Sequence, residues 1–180
     1  MRRARAGPSR GRSAVQRVED EPLRPHELVD FVEAAAEKYG FDRSKLVAVG
    51  YSNGANVAGS TILLHPGLLR AAVLFRAMVP FEPDVTPDLS GMPVFLAAGR
   101  MDRMIPPDNT QRLADILVEA GADVDLRWRD SGHPLTYEEV GEAKAWLSNA
   151  AAALKTKRGR AWLLSEPERN ALLRNTITPT

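Results

Sequence analysis

Three residues of this chain have the types and the order that activate an oxygen nucleophile: Ser52, Asp102 and His133. Ser52 stands in Gly50-Tyr51-Ser52-Asn53-Gly54-Ala55, a G-x-S-x-G pattern. A serine hydroxyl is a weak nucleophile until a base takes its proton, and the base needs an orienting acid. Asp102 lies in Gly99-Arg100-Met101-Asp102-Arg103-Met104-Ile105-Pro106, and His133 in Ser131-Gly132-His133-Pro134. A serine on a sharp strand-to-helix turn collects its acid and then its histidine from later loops, in this chain order. The chemistry on offer is attack on an acyl carbonyl with a covalent intermediate. Each residue alone has a blander reading: a tight turn for Ser52, a surface acid for Asp102, a solvated loop residue for His133. Three of them at three strand ends favour the chemical reading.

Those strand ends come from the hydrophobic pattern. Residues 46–50 are a short continuous apolar run, expected as a strand buried on both faces, and residues 53–64 read as the helix that follows. The turn between them is expected to be crowded enough to demand Gly50 and Gly54. Residues 71–75 and 93–98 read as two more buried strands, and residues 123–128 as a period-two strand nearer an edge. Before the first strand, Leu28, Phe31, Val32, Ala35 and Tyr39 recur at helical spacing over residues 25–39, with Gly40 as the C-terminal cap. Residues 110–120 read as a helix ended by Gly121. Thr136 and Glu139 form a capping box that opens a helix to about residue 154. Residues 76–92 hold three prolines and read as a loop. Strands alternating with helices indicate an α/β fold with a parallel sheet. Asp102 and His133 then sit where the C-terminal strand ends gather their loops, the usual place for a site in such sheets.

With these motifs in place, the chain resembles the small carboxylesterase/phospholipase branch of the α/β-hydrolase superfamily. The resemblance rests on residues 50–55, on Leu-Phe-Arg-Ala-Met-Val-Pro at 74–80, and on residues 98–106 and 130–139; it covers about residues 25–150. It implies Ser52 as nucleophile, His133 as general base and then acid, and Asp102 as the orienting carboxylate. It implies the Asn53 backbone N–H as one oxyanion donor, with no metal or organic cofactor. Tyr51, Met78, Met101 and Leu135, with Val79, Phe81 and Met104, are expected in the surrounding loops, where they would suit the acyl or aromatic part of a small ester. Packing roles are the alternative for each. Family members carry strands ahead of the nucleophile strand and a His-Gly loop that gives a second oxyanion donor. Here 45 residues precede Leu46 and no His-Gly pair occurs among them. The resemblance therefore implies an N-terminally shortened α/β-hydrolase sheet with an open edge at the nucleophile strand, and self-association through that edge. A peptidase, a lactonase, or a nearly inactive remnant lacking half of the oxyanion hole are the competing functions.

Composition bounds the rest. The 180 residues are 44% hydrophobic and 26% charged, enough for one sizeable core. There is no Cys, which excludes a disulfide framework and a thiolate nucleophile, and three His leave little for a metal site. Residues 1–24 carry seven Arg against three acids, residues 155–180 six Lys or Arg against two, and the middle eleven basic residues against eighteen acidic. Neither basic end interleaves aromatics convincingly, so both read as solvated tails, disordered at 1–24 and with one short helix from Ser165, rather than as nucleic-acid arms. No apolar run is long enough to span a membrane and no apolar stretch backs the N-terminal arginines, so the expected compartment is the cytoplasm. Arg76 is expected to pair with an acid such as Glu82, with an anionic substrate group as the alternative. His26 and His65 are expected beside helix ends, and Trp128 in the core.

Overall fold

The structure, a computed structural model, describes residues 25–153. The expected basic segment at 1–24 and the tail at 155–180 lie outside the described residues. The described elements are α1 (Pro25–Tyr39), a 3-10 turn (Arg43–Lys45), β1 (Val47–Tyr51), α2 (Asn53–Leu64), β2 (Ala71–Phe75), β3 (Pro93–Gly99), α3 (Pro107–Glu119), β4 (Asp123–Arg129) and α4 (Tyr137–Ala153). The four strands form one parallel sheet in the order β1-β2-β3-β4 with flanking helices, as expected for an α/β fold.

Alternation along the strands divides the core into two layers. Ala72, Leu74, Val94 and Leu96 face α2 and α3 and pack with Ala55, Ile62, Leu113 and Leu117. Val73, Phe75, Phe95 and Ala97 face the other way, where Ala143 and Trp146 of α4 cover them. Val94, Phe95 and Leu96 have no solvent exposure. Fully burying one such side chain contributes about 1.5–3 kcal/mol, so β3 anchors the sheet.

Two expectations change here. β1 is not buried on both faces: Val49 is 66% exposed and Val47 37%. They share a face with Val73, but α4 lies over β2 and β3, and among the described residues nothing covers the strip beyond it. The α1 spacing also overstates its apolar contacts. The helix packs on α2, with Leu28, Val32 and Ala35 half-buried while Phe31 and Tyr39 are exposed. Gly40, at φ +68°, does close α1, its N–H donating to the Ala36 carbonyl (2.8 Å). Among the described residues no helix is long and apolar enough to cross a membrane.

Candidate active site

β1 hands over to α2 at Ser52. Its N–H still donates to the Phe75 carbonyl (2.9 Å), extending the β1–β2 ladder, while its own carbonyl accepts from Ala55 N (2.9 Å) and Asn56 N (3.1 Å) and so begins the helix. Meeting both demands forces Ser52 to φ 53°, ψ −119°, in the left-handed half of backbone space that non-glycine residues rarely occupy. Such strain persists only where the surroundings over-determine it. Gly50 is part of that cause: a β-carbon there would lie 2.6 Å from the Ala55 backbone. Gly54 is not, since a β-carbon on it would meet nothing within 4 Å among the described residues. The expectation that crowding requires both glycines is thereby halved. The Ser52 hydroxyl does not cap α2. It lies 3.1 Å from His133 Nε2 instead.

Asp102 sits in the turn that leaves β3. Its Oδ1 accepts from the N–H groups of Met104 (2.8 Å) and Ile105 (3.1 Å), which leaves Oδ2 facing His133 Nδ1 at 2.8 Å. Burial, the largest single influence, opposes ionisation of this carboxyl. The hydrogen bond from His133 and the two backbone N–H groups outweigh it together and hold the group below the usual carboxylate range. An ionised carboxylate only accepts, so Nδ1 carries a proton, and in the neutral imidazole the Nε2 lone pair then faces Ser52. Asp102 is 7% exposed.

His133 lies in the loop between β4 and α4, and β3 lets that loop pass close. A β-carbon on Gly99 would stand 2.4 Å from the Ser131 carbonyl oxygen and 2.7 Å from that of Gly132. Met101 N donates to Ser131 O (3.0 Å), tying the acid-bearing turn to the histidine-bearing loop. Tyr51 Oη donates to the His133 carbonyl (3.1 Å), and the two rings lie 5.4 Å apart.

The structure thus gathers Ser52, His133 and Asp102 into one hydrogen-bonded run at the C-terminal ends of β1, β3 and β4. Tyr51 and Met101 flank it, 41% and 62% exposed, with Met104 70% exposed beyond Asp102. Met78 is half-buried, its N–H donating to Asn56 Oδ1 (3.0 Å). Leu135 turns instead toward the cluster beneath α4. Asn53 opens α2, where the first backbone N–H groups have no partner within the helix and the helix dipole favours negative charge.

Sequence reasoning missed two positioning side chains, Asn56 and Asn109, and gave a third, Arg76, the wrong partner. Asn109 Oδ1 accepts from Val79 N (2.7 Å), matching what Asn56 does for Met78. Arg76 does not pair with Glu82, which binds Arg112 instead. Its partner is Glu139, with Nη1 2.7 Å from Oε1 and both side chains buried. The capping box at Thr136 holds Glu139 in place: its Oε2 accepts from Thr136 N (3.0 Å) and Thr136 Oγ1 (2.9 Å).

The sequence profile of the phospholipase/carboxylesterase family matches residues 16–151. MhqD of Bacillus subtilis, a protein named as a hydrolase, is 39% identical over 128 residues, covering 71% of this chain and 64% of its own length. The crystal structure of a Bacillus cereus carboxylesterase superposes with a TM-score of 0.68 at 42% identity, covering 73% of this chain and 62% of that one. A carboxylesterase from Mesorhizobium loti superposes with a TM-score of 0.65 at 31% identity, over 72% of this chain and 66% of that one. The chain spans less than two thirds of the first two relatives.

Proposed function

This chain belongs to the phospholipase/carboxylesterase family, and on that premise we propose that it is a serine hydrolase that cleaves small carboxylic esters through an acyl-enzyme, with residues 25–154 as the catalytic unit. The observation that carries the reading is the run from Ser52 Oγ through His133 to Asp102, at 3.1 and 2.8 Å. Ser52 Oγ attacks the ester carbonyl as His133 Nε2 takes its proton. The Asn53 N–H, at the N-terminus of α2, faces the oxyanion as it develops. His133 then returns the proton to the departing alkoxide, and a water repeats the cycle on the acyl-serine. Asp102 stays ionised throughout, holding the imidazole in one tautomer and stabilising its cation. The exposed apolar side chains of Tyr51, Met101 and Met104 suit a short acyl or aromatic group more than a charged one.

The test is labelling by a fluorophosphonate together with turnover of p-nitrophenyl acetate and butyrate. One phosphonyl adduct on Ser52, with turnover abolished by Ser52→Ala, is the expected result. An adduct that persists in folded Ser52→Ala, or no turnover of any short ester, would sink the assignment.

A further inference from the structure

Two residues other than glycine have positive φ among the described residues, Ser52 and Arg76, both at 53°. The first belongs to the site above. The second follows β2, is 1% exposed, and reaches no reacting atom. What its side chain does reach is the backbone around His133. Nε donates to Gly132 O (3.0 Å), and Nη2 lies 3.3 Å from Pro134 O and 3.2 Å from Ser131 Oγ. One guanidinium thus grips Ser131, Gly132 and Pro134 around His133. Nη1 also reaches Ala97 O on β3 (3.4 Å). On the far side both Nη atoms face the Glu139 carboxylate, at 2.7 Å (Nη1 to Oε1) and 3.0 Å (Nη2 to Oε2). Glu139 is itself tied to Thr136 at the start of α4.

A buried ion pair is weak evidence for stability, because desolvation offsets most of the attraction and apolar replacement is often neutral. What this pair supplies is geometry. A planar fork of donors holds several acceptors at fixed angles, which neither an aliphatic side chain nor an ammonium reproduces. The left-handed backbone at Arg76 costs free energy and persists because these contacts hold it. Its N–H donates to Ala97 O (2.9 Å), so the side chain is launched from a fixed point on the sheet.

We propose that Arg76 is a positioning residue for His133: its buried guanidinium, locked on Glu139, fixes the backbone of residues 131–134 so that Nε2 meets Ser52 Oγ. This rests on the serine hydrolase reading above. Misplacing a catalytic group by about 1 Å can cost on the order of 100-fold in rate.

The experiment compares the full chain with Arg76→Lys, which keeps a cation against Glu139, and with Arg76→Met/Glu139→Met, which removes both charges. For each variant, kcat and KM on p-nitrophenyl butyrate, the thermal midpoint, and the proton resonance of the His133 Nδ1–H in the absence of substrate are measured. The double variant is expected to stay folded, with a midpoint lowered by a few degrees because Gly132 O, Pro134 O and Ser131 Oγ lose their donor. Its kcat should fall about 10- to 100-fold, with KM changed less than about threefold, and the resonance should broaden or vanish. Arg76→Lys should recover part of the rate. A folded double variant with parental kcat and a sharp parental resonance overturns the proposal, as does a lowered midpoint with unchanged kcat. If the parent cleaves no ester yet the resonance responds as described, the functional reading fails and the positioning role stands.

Discussion

A β-carbon added to Gly50 would stand 2.6 Å from the backbone nitrogen of Ala55, closer than such atoms approach in real proteins. Backbone blocks the space on that side, so Gly50→Ala must move either the end of β1 or the start of α2. Activity should fall at least 100-fold, and stability by about 1–3 kcal/mol from overpacking. Gly54→Ala should leave activity within a fewfold and gain up to about 1 kcal/mol, because the site is open and helical. Urea melts and ester turnover on both variants check the pair. Equal damage from the two would refute the crowding argument.

Asp102→Asn should be far more harmful than its size suggests. Met104 and Ile105 N–H groups demand an acceptor at Oδ1, so the amide nitrogen must face His133. The imidazole then accepts at Nδ1, carries its proton on Nε2, and cannot take the Ser52 proton. A loss of about 1,000- to 10,000-fold in kcat is expected, with the melting midpoint moved only modestly. Steady-state kinetics beside a melt separate the two effects.

Tyr51→Phe keeps the ring beside His133 and removes the hydrogen bond to its carbonyl. One neutral hydrogen bond at a half-exposed site is worth about 0.5–1.5 kcal/mol. The expected cost is therefore at most about tenfold in kcat, with more lost in Tyr51→Ala. A Phe variant slower than the Ala variant would contradict this account of the ring.

Acid should destabilise the fold through two carboxyls. Asp102 and Glu139 both titrate below their ordinary range when folded, so the unfolded chain binds more protons. For each, burial favours the neutral form, and His133 or Arg76 with nearby N–H groups more than reverses it. Their contribution is complete above about pH 5, and is lost as pH falls through the ordinary carboxyl range and on through the lower folded values. The urea midpoint should drop between pH 5 and pH 3, and the slope should flatten in Asp102→Asn. A midpoint that rises on acidification would reverse the sign and refute the linkage.

Val47 and Val49 leave an apolar strip on the β1 face beyond α4, on a strand paired only with β2 among the described residues. A second copy of the chain is the expected occupant, because an open strand edge with apolar side chains templates pairing with its like. Sedimentation of the 180-residue chain should show association at micromolar concentration, relieved by Val49→Lys. A monomer with slow-exchanging β1 edge amides would mean that the strip is already covered.

Much of this was legible in the residue pattern. The bounds of α1 and α2 follow from spacing and caps, and the strands fall within a residue of their apolar runs because a buried parallel strand has few other readings. The order of Ser52, Asp102 and His133 brought three groups into hydrogen-bond reach because the loops after parallel strands meet at one end of the sheet. Arg76 was misread for a physical reason: Glu82 is near in sequence, but the sheet order brings Glu139, 63 residues away, to its side. Val49 was misread because an apolar run reports a preference for burial, not whether a neighbour exists to supply it.

The four described strands lie in the sheet in the order in which they leave the ribosome. The serine is therefore made first and its base last. Neither the His133 loop nor the α4 carboxylate that grips Arg76 exists until β4 is complete. A nascent chain ending after β3 holds Ser52 without the imidazole that lies 3.1 Å from it in the finished fold. On the reading proposed above, Ser52 therefore gains its base only once the residues beyond β4 have been made.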